Sequence, residues 1–216
     1  MPTQNLNELI EHTVLRADAT LADVTKLCAE AREHRFHGVC VNAYWIPDAK
    51  RLLAGSDVKI VTVAGFPLGA TLSKAKAAET KAAVEAGADE VDMVINLGAA
   101  KEGHWDFIEH EIHEVVSAAQ GKTVKVIIES AALTPAEIVA ASQRIVAAKA
   151  HFVKTSTGFI PGGATVEAVR LIRETVGCCF GIKASGGIKD RATAEALIEA
   201  GATRIGTSAG PVLLKG

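Results

Sequence analysis

The chain has 216 residues, 49% of them hydrophobic, enough for one sizeable core in a single domain spanning residues 1–216. Its 23 Lys and Arg against 25 Asp and Glu leave no basic stripe for nucleic acid, and aromatics at 4% offer little for stacking on bases. Residues 1–10 lack a cationic stretch before an apolar core and no window reaches the ~18 apolar residues of a membrane span, so a soluble, cytoplasmic protein with no nucleic-acid or membrane partner is expected.

A brief N-terminal helix leads into a short strand-like stretch, Glu11-His12-Thr13-Val14-Leu15. Helix 21–33 opens at Thr20, with Asp23 three residues on as its capping partner. Then come strand 38–42, helix 47–53, strand 58–64, helix 72–86, strand 90–96 and helix 105–119. Strand 124–129, helix 135–148, strand 152–155, helix 166–176, strand 180–184, helix 191–200 and strand 204–206 complete the series. Val- and Ile-rich runs alternating with helices make successive βα units on a parallel sheet. Gly87 and Gly201 stand where a helix ends in a left-handed residue just before a strand. With 11–15 counted first, eight strands close a (β/α)8 TIM barrel; the other seven alone would permit an open doubly wound sheet. Cys28, Cys40, Cys178 and Cys179 show no C-x-x-C spacing and are expected to be buried, reduced thiols, Cys40 and the adjacent pair lying in apolar runs.

Three of the apolar runs carry charges: Asp92 on the fourth strand, Lys154 on the sixth and Lys183 on the seventh. A charge in a buried strand is costly without partners or a task. Side chains alternate along a strand, so Asp92 shares a face with Val94 and Asn96, Lys154 with Phe152, and Lys183 with Gly181, which leaves room beneath it. If those faces line the barrel, the three heads converge at the carboxyl ends of the strands, where barrel enzymes do their chemistry. Desolvation and a neighbouring cation both penalise an ammonium, so one lysine of such a pair is partly neutral near pH 7 and nucleophilic toward carbonyls. Taken alone, Lys154 also fits an exposed strand-terminal lysine whose stem covers apolar surface.

Gly186 and Gly187 after the seventh strand, and Gly206 and Ser208 at the eighth, occupy the usual phosphate-binding place of such barrels; Gly158 stands in the turn after Lys154. A tight turn explains a lone Gly-Gly equally well. His110-Glu111-Ile112-His113-Glu114 spaces its histidines at i and i+3 rather than i and i+4 and is expected to be a solvated helix face. There is no Gly-x-Gly-x-x-Gly fingerprint after a strand, and no metal or other cofactor is expected. Asn42, Glu129 and Ser130 end strands on the active face, where each could line the pocket but is expected first as a solvated strand end; Thr62 and Asn96 stay open as pocket groups.

Together, 90–96, 124–129, 152–159 and 182–188 resemble the signature segments of the deoxyribose-phosphate aldolase family, as do 63–70 and 204–208. The resemblance spans about Glu11 to Pro211. It implies a metal-independent class I aldolase on a (β/α)8 barrel, splitting 2-deoxy-D-ribose 5-phosphate reversibly into D-glyceraldehyde 3-phosphate and acetaldehyde. By the same resemblance Lys154 forms the Schiff base, Lys183 perturbs it and aids proton transfer, and Asp92 relays protons with bound water. Several positions depart from the family pattern and bear on rate and phosphate affinity more than on reaction type. Glu11 replaces an aspartate, Ala43 a proline, Ala150-His151 a Gly-Ala, and Ala209 a serine, while the chain closes 213–216 without the tyrosine that ends some members. The alternatives are a Schiff-base aldolase or transaldolase for another sugar phosphate, disfavoured by the short βα loops, and a non-catalytic sugar-phosphate binding barrel. A homo-oligomer, a dimer first, is expected; Trp105 could serve such a contact or simply pack its helix on the barrel.

Overall fold

The computed structural model describes residues 5–215; residues 1–4 of the N-terminal segment and Gly216 lie outside them. Within them, α1 (Leu6–Leu9) leads directly into β1 (Ile10–Val14), and seven further βα steps follow. These are α2 (Leu21–Glu33), β2 (Gly38–Val41), α3 (Ile46–Leu52), β3 (Lys59–Ala64), α4 (Ser73–Ala86), β4 (Glu90–Val94), α5 (Leu97–Lys101) and α6 (Trp105–Ala118). Then come β5 (Thr123–Ile127), α7 (Pro135–Ala147), β6 (Phe152–Lys154), α8 (Val166–Val176), β7 (Gly181–Ser185), α9 (Arg191–Glu199), β8 (Arg204–Thr207) and α10 (Gly210–Leu213).

All eight strands pair in parallel in chain order, and β1 closes the barrel on β8, with Glu11 in register with Gly206. The stretch at 11–15 is thus the closing strand, and the open-sheet alternative falls. Capping sets the helix starts as expected: the Thr20 side chain accepts from the Asp23 amide while Asp23 accepts from the Thr20 amide. Thr134 and Glu137 repeat this at α7. Gly87 and Gly201 adopt φ of 118° and 116°, the left-handed region a side chain resists.

Odd and even positions of each strand go to different interiors. Ile10, Val39, Val41, Val91, Met93, Val124, Val126, Val153, Ile182 and Ile205 face outward into the main apolar core between barrel and helices. Inside the barrel the apolar cluster is small, with Leu15, Cys40, Val61 and Val63 buried and Phe66 against them. Val94 and Ile127 share the inward faces of Asp92 and Lys125, and the charged side chains Glu11, Glu90, Asp92, Lys125, Lys154 and Lys183 are buried there too. Gly181 does leave room, and the Phe152 ring fills it: a Cβ on Gly181 would lie 2.4 Å from that ring.

Several local expectations are corrected. Strand β4 ends at Val94, so Asn96 leaves the strand and caps α5, its Oδ1 accepting from the Ala99 amide at 3.1 Å. Glu111 is not on a solvated face; α6 buries it against Lys76 of α4, Nζ to Oε1 at 2.7 Å, while His110 and His113 stay exposed. Cys28 and Cys40 are buried, but Cys178 and Cys179 are exposed, because α8 ends at Val176 and the pair occupies the turn before β7. Trp105 is half-buried against the core, which favours simple packing of its helix.

Thr20→Ala removes one side of a reciprocal cap and is expected to lower the unfolding free energy by about 1 kcal/mol, read from the urea midpoint at unchanged slope.

Candidate active site

The register places Lys154 of β6 directly beside Lys183 of β7, and Asp92 of β4 beside Lys125 of β5. All four side chains point into the barrel, and Asp92 sits between the amines. Its Oδ2 accepts from Lys154 Nζ at 2.8 Å and from Lys183 Nζ at 2.7 Å, while Oδ1 accepts from Lys125 Nζ at 2.8 Å. Lys183 also donates to Glu11 Oε2. Lys125 lies 2.6 Å from Glu90 and 3.2 Å from Glu11. Arg204 donates to Glu11 Oε1 at 3.0 Å and lies 3.6 Å from Glu90, whose other oxygen meets His37 at 2.9 Å.

The cluster therefore brings three carboxylates, Glu11, Glu90 and Asp92, to four basic side chains, Lys125, Lys154, Lys183 and Arg204. Full protonation would leave one surplus positive charge in a dry interior, which is strongly unfavourable. The surplus falls on the amine with the fewest anionic partners. Lys125 has three carboxylates and Lys183 two, whereas Lys154 has Asp92 alone.

The ionisation directions follow this division. Burial pushes the Lys154 amine below the usual lysine value, the Lys183 ammonium adds to the effect, and Asp92 only partly opposes it. Burial would lower Lys183 as well, but Asp92 and Glu11 outweigh it and raise the ammonium above its ordinary value. The same balance, through Asp92 and Glu11, raises Lys125. Burial disfavours the Asp92 carboxylate, yet Lys125, Lys154 and Lys183 together hold it well below the ordinary aspartate range. Glu11 is likewise lowered, by Lys125 and Lys183 against its burial.

Above the lysines opens a cavity of about 460 Å³, a size suited to a small ligand. Lys154 and Lys183 lie at its lining, as do Gly158, Gly186, Gly187, Gly206 and Ser208. Asp92 does not reach it; fully buried, it lies beneath the two amines it holds. Lys154 is 3% exposed, which rules out a solvated strand end. The loop after β6 packs on the loop after β7 at bare backbone: a Cβ on Gly163 would lie 2.4 Å from the Gly186 carbonyl oxygen, and Gly186 has φ of 86°. Gly206 lies inside β8, where it makes space for its neighbour; a Cβ there would sit 2.9 Å from Lys183 Cε.

Other strand-end residues are corrected. Glu129 and Ser130 are buried rather than solvated, and Glu129, at φ of 51°, accepts from the Thr157 amide at 3.2 Å and from the Thr157 hydroxyl, bracing the turn that follows Lys154. Asn42 and Thr62 bond backbone carbonyls, at Leu15 and Val41, and take no part in the cavity. The residues unforeseen were Lys125, Glu90 and Arg204, together with Arg16 and Lys189, which bring cations to the cavity lining. A period-two signal existed for the first: Lys125 alternates with Val124 and Val126 on a buried strand, as Asp92 does with Val91 and Met93. Among the described residues, Glu11, His37 and Glu90 alone bring metal-ligand atoms within 4.8 Å of one another. Lys125, Lys183 and Arg204 already neutralise those carboxylates, so a cation there would meet positive neighbours.

Residues 7–214 match a family described as DeoC/LacD family aldolase. The chain is 56% identical over 213 residues to a deoxyribose-phosphate aldolase of Geobacillus sp. (strain WCH70), covering 98% of this chain and 96% of that one. Among solved structures it resembles an aldolase called QR15, with a TM-score of 0.92 at 38% identity over 97% of this chain and 94% of the other. It also resembles the tetrameric deoxyribose phosphate aldolase of Aeropyrum pernix, with a TM-score of 0.91 at 31% identity over 97% and 89% of the two chains.

Lys125→Met takes the cation from between three carboxylates and is expected to cost about 3–5 kcal/mol in urea unfolding. Depressed carboxylates contribute stability above their unfolded pKa and lose it as pH falls through the folded one. Relieving that depression therefore moves acid unfolding of the variant to higher pH, followed by circular dichroism.

Proposed function

The chain belongs to the DeoC/LacD family of aldolases, and on that basis we propose that it splits 2-deoxy-D-ribose 5-phosphate reversibly into D-glyceraldehyde 3-phosphate and acetaldehyde through a Schiff base on Lys154. The observation that carries the assignment is the lowered, singly partnered Lys154 amine at the lining of a cavity between glycine loops.

Neutral Lys154 Nζ attacks C1 of the open-chain sugar, and loss of water from the carbinolamine gives an iminium. A two-carbon and a three-carbon product require C2–C3 to break. A water above the lysines, the proposed carrier, takes the C3 hydroxyl proton as the C2–C3 electron pair moves into the iminium, leaving an enamine on Lys154 and releasing the aldehyde phosphate. Protonation at C2 and hydrolysis then free acetaldehyde and the lysine. Lys183, kept as the ammonium by Asp92 and Glu11, holds Lys154 neutral and is the acid nearest the reacting atoms. Asp92 has no access to the cavity, so its part in the proton relay runs through the two amines it bridges, with water as the proposed carrier above them.

The phosphate is assigned to Gly158, Gly186, Gly187, Gly206 and Ser208, all at the cavity lining, with glycine loops and a hydroxyl suited to an anion. The proposal includes one domain, a cytoplasmic setting and a homo-oligomer with a dimer first. None of the described helices is long and apolar enough to cross a membrane.

Borohydride reduction with acetaldehyde is expected to add one ethyl group to the peptide carrying Lys154, and Lys154→Ala is expected to lose both the adduct and turnover. Appearance of the group on another lysine would move the nucleophile there, and no adduct with sugar phosphate still bound would favour a binding barrel. In the wild type kcat/KM rises with pH along a limb set by Lys154, below the 10.5 of a free lysine. Lys183→Met removes the cation that disfavours the Lys154 ammonium, so this limb moves to higher pH, with a roughly tenfold loss per unit moved at pH values below the limb. An unmoved limb would show that Lys183 does not tune its neighbour.

A further inference from the structure

The turn between α8 and β7 carries two side chains that the aldolase chemistry does not use. Cys178 and Cys179 are both exposed, and their Sγ atoms lie 3.2 Å apart, within hydrogen-bond contact. The chain's other cysteines, Cys28 and Cys40, are buried, so these two are the thiols a reagent in water meets. We propose that Cys178 and Cys179 form a vicinal dithiol that a small-molecule disulfide oxidises reversibly to a disulfide within this turn.

Three features of the turn favour reaction as a pair. Gly177, at φ of 78°, reverses the chain as it leaves α8, and both sulfurs end up on one another rather than on opposite faces of a strand. Arg173 of α8 brackets the pair, donating to the carbonyls of Gly177 before it and Phe180 after it, the latter at 2.8 Å, and to Gly201 at 2.8 Å. The ends of the turn are therefore held while the cysteines between them stay free. Its guanidinium also places a positive charge near the pair, which offsets only part of the rise in the Cys179 pKa. Cys179 is pushed up by the hydrogen bond it shares with Cys178, keeping a proton between the two sulfurs until one reacts.

The step balances with one disulfide as oxidant. One cysteine thiolate attacks a sulfur of the small disulfide, forming a mixed disulfide and expelling one thiolate. The second cysteine gives up its proton and attacks the protein sulfur of that mixed disulfide, expelling the other. Two protein thiols are oxidised and one small disulfide is reduced to two thiols. Adjacent Cα atoms are about 3.8 Å apart, short of the roughly 4.4–6.8 Å usual for a disulfide, so the ring is strained and readily reduced. That makes the modification reversible. Neither cysteine lines the catalytic cavity, so capture of an oxidant here is separate from Schiff-base formation at Lys154.

The test is intact-mass analysis and peptide mapping of the native full chain, purified reduced and then exposed to excess glutathione disulfide. The expected result is loss of two hydrogens in the peptide holding Cys178 and Cys179, no retained glutathione, and recovery with dithiothreitol. Cys178→Ser is then expected to retain a single glutathione on Cys179, because the resolving thiol is gone. Stable glutathione on wild-type Cys178 or Cys179, or no change in mass, would overturn the proposal.

Discussion

The barrel interior is organised around one carboxylate. Asp92 offers a single oxygen to both Lys154 and Lys183 and its other oxygen to Lys125, so three amines are held on one anion in a space without bulk water. Such a group is stable only if the remaining charges balance. Asp92, Glu11 and Glu90 together balance Lys125, Lys183 and Arg204, leaving Lys154 as the amine whose proton is surplus. The proposed nucleophile is thus set apart by unequal sharing of carboxylates, and the proximity of a second lysine is only part of the cause. A buried network of this kind is weak evidence for stability, since desolvation offsets much of the attraction. Its value lies in setting which amine gives up its proton most readily.

The framework serves this arrangement by spending its apolar residues outside the barrel. Outward-facing Val, Ile and Met anchor the strands to the helices, which frees the inward positions for charge. The end of β4, the strand that carries Asp92, is held from behind by a second buried pair: Lys76 donates to the Val94 carbonyl at 2.7 Å and Glu111 accepts from the Asn96 amide at 3.1 Å. Burial pushes both members toward neutrality, lowering Lys76 and raising Glu111, so the pair behaves as a hydrogen-bonded brace more than as two free charges. The braces at Glu129–Thr157 and Gly163–Gly186 do for the loops above Lys154 what Lys76 and Glu111 do for β4.

Most of this fold was legible residue by residue. Thr20 with Asp23 marked a helix start, Gly87 and Gly201 marked helix ends, and the alternation of Val and Ile marked strands within one or two residues. The site was legible where charge interrupted an apolar strand, at Asp92, Lys154 and Lys183. Lys125, between Val124 and Val126 of a buried strand, carries the same signal. Exposure was less legible: Cys178 and Cys179 lie in the apolar run before the strand expected at 180–184, but the strand begins at Gly181 and the cysteines stay in the exposed turn. Glu111 failed in the opposite sense, since only the docking of α4 against α6 supplies the Lys76 that allows a glutamate to be buried.

By itself the sequence determined the order of βα units, the adjacency of the two lysine-bearing strands, and the family, because strand period, helix caps and segment similarity are properties of short stretches of chain. Tertiary structure alone decided why the Lys154 amine is lowered and which acids hold Lys183. Glu11 and Lys183 are 172 residues apart and meet only when β1 closes against β8. Coulomb interactions in a dry interior depend on distances that closure sets, and no local pattern encodes them.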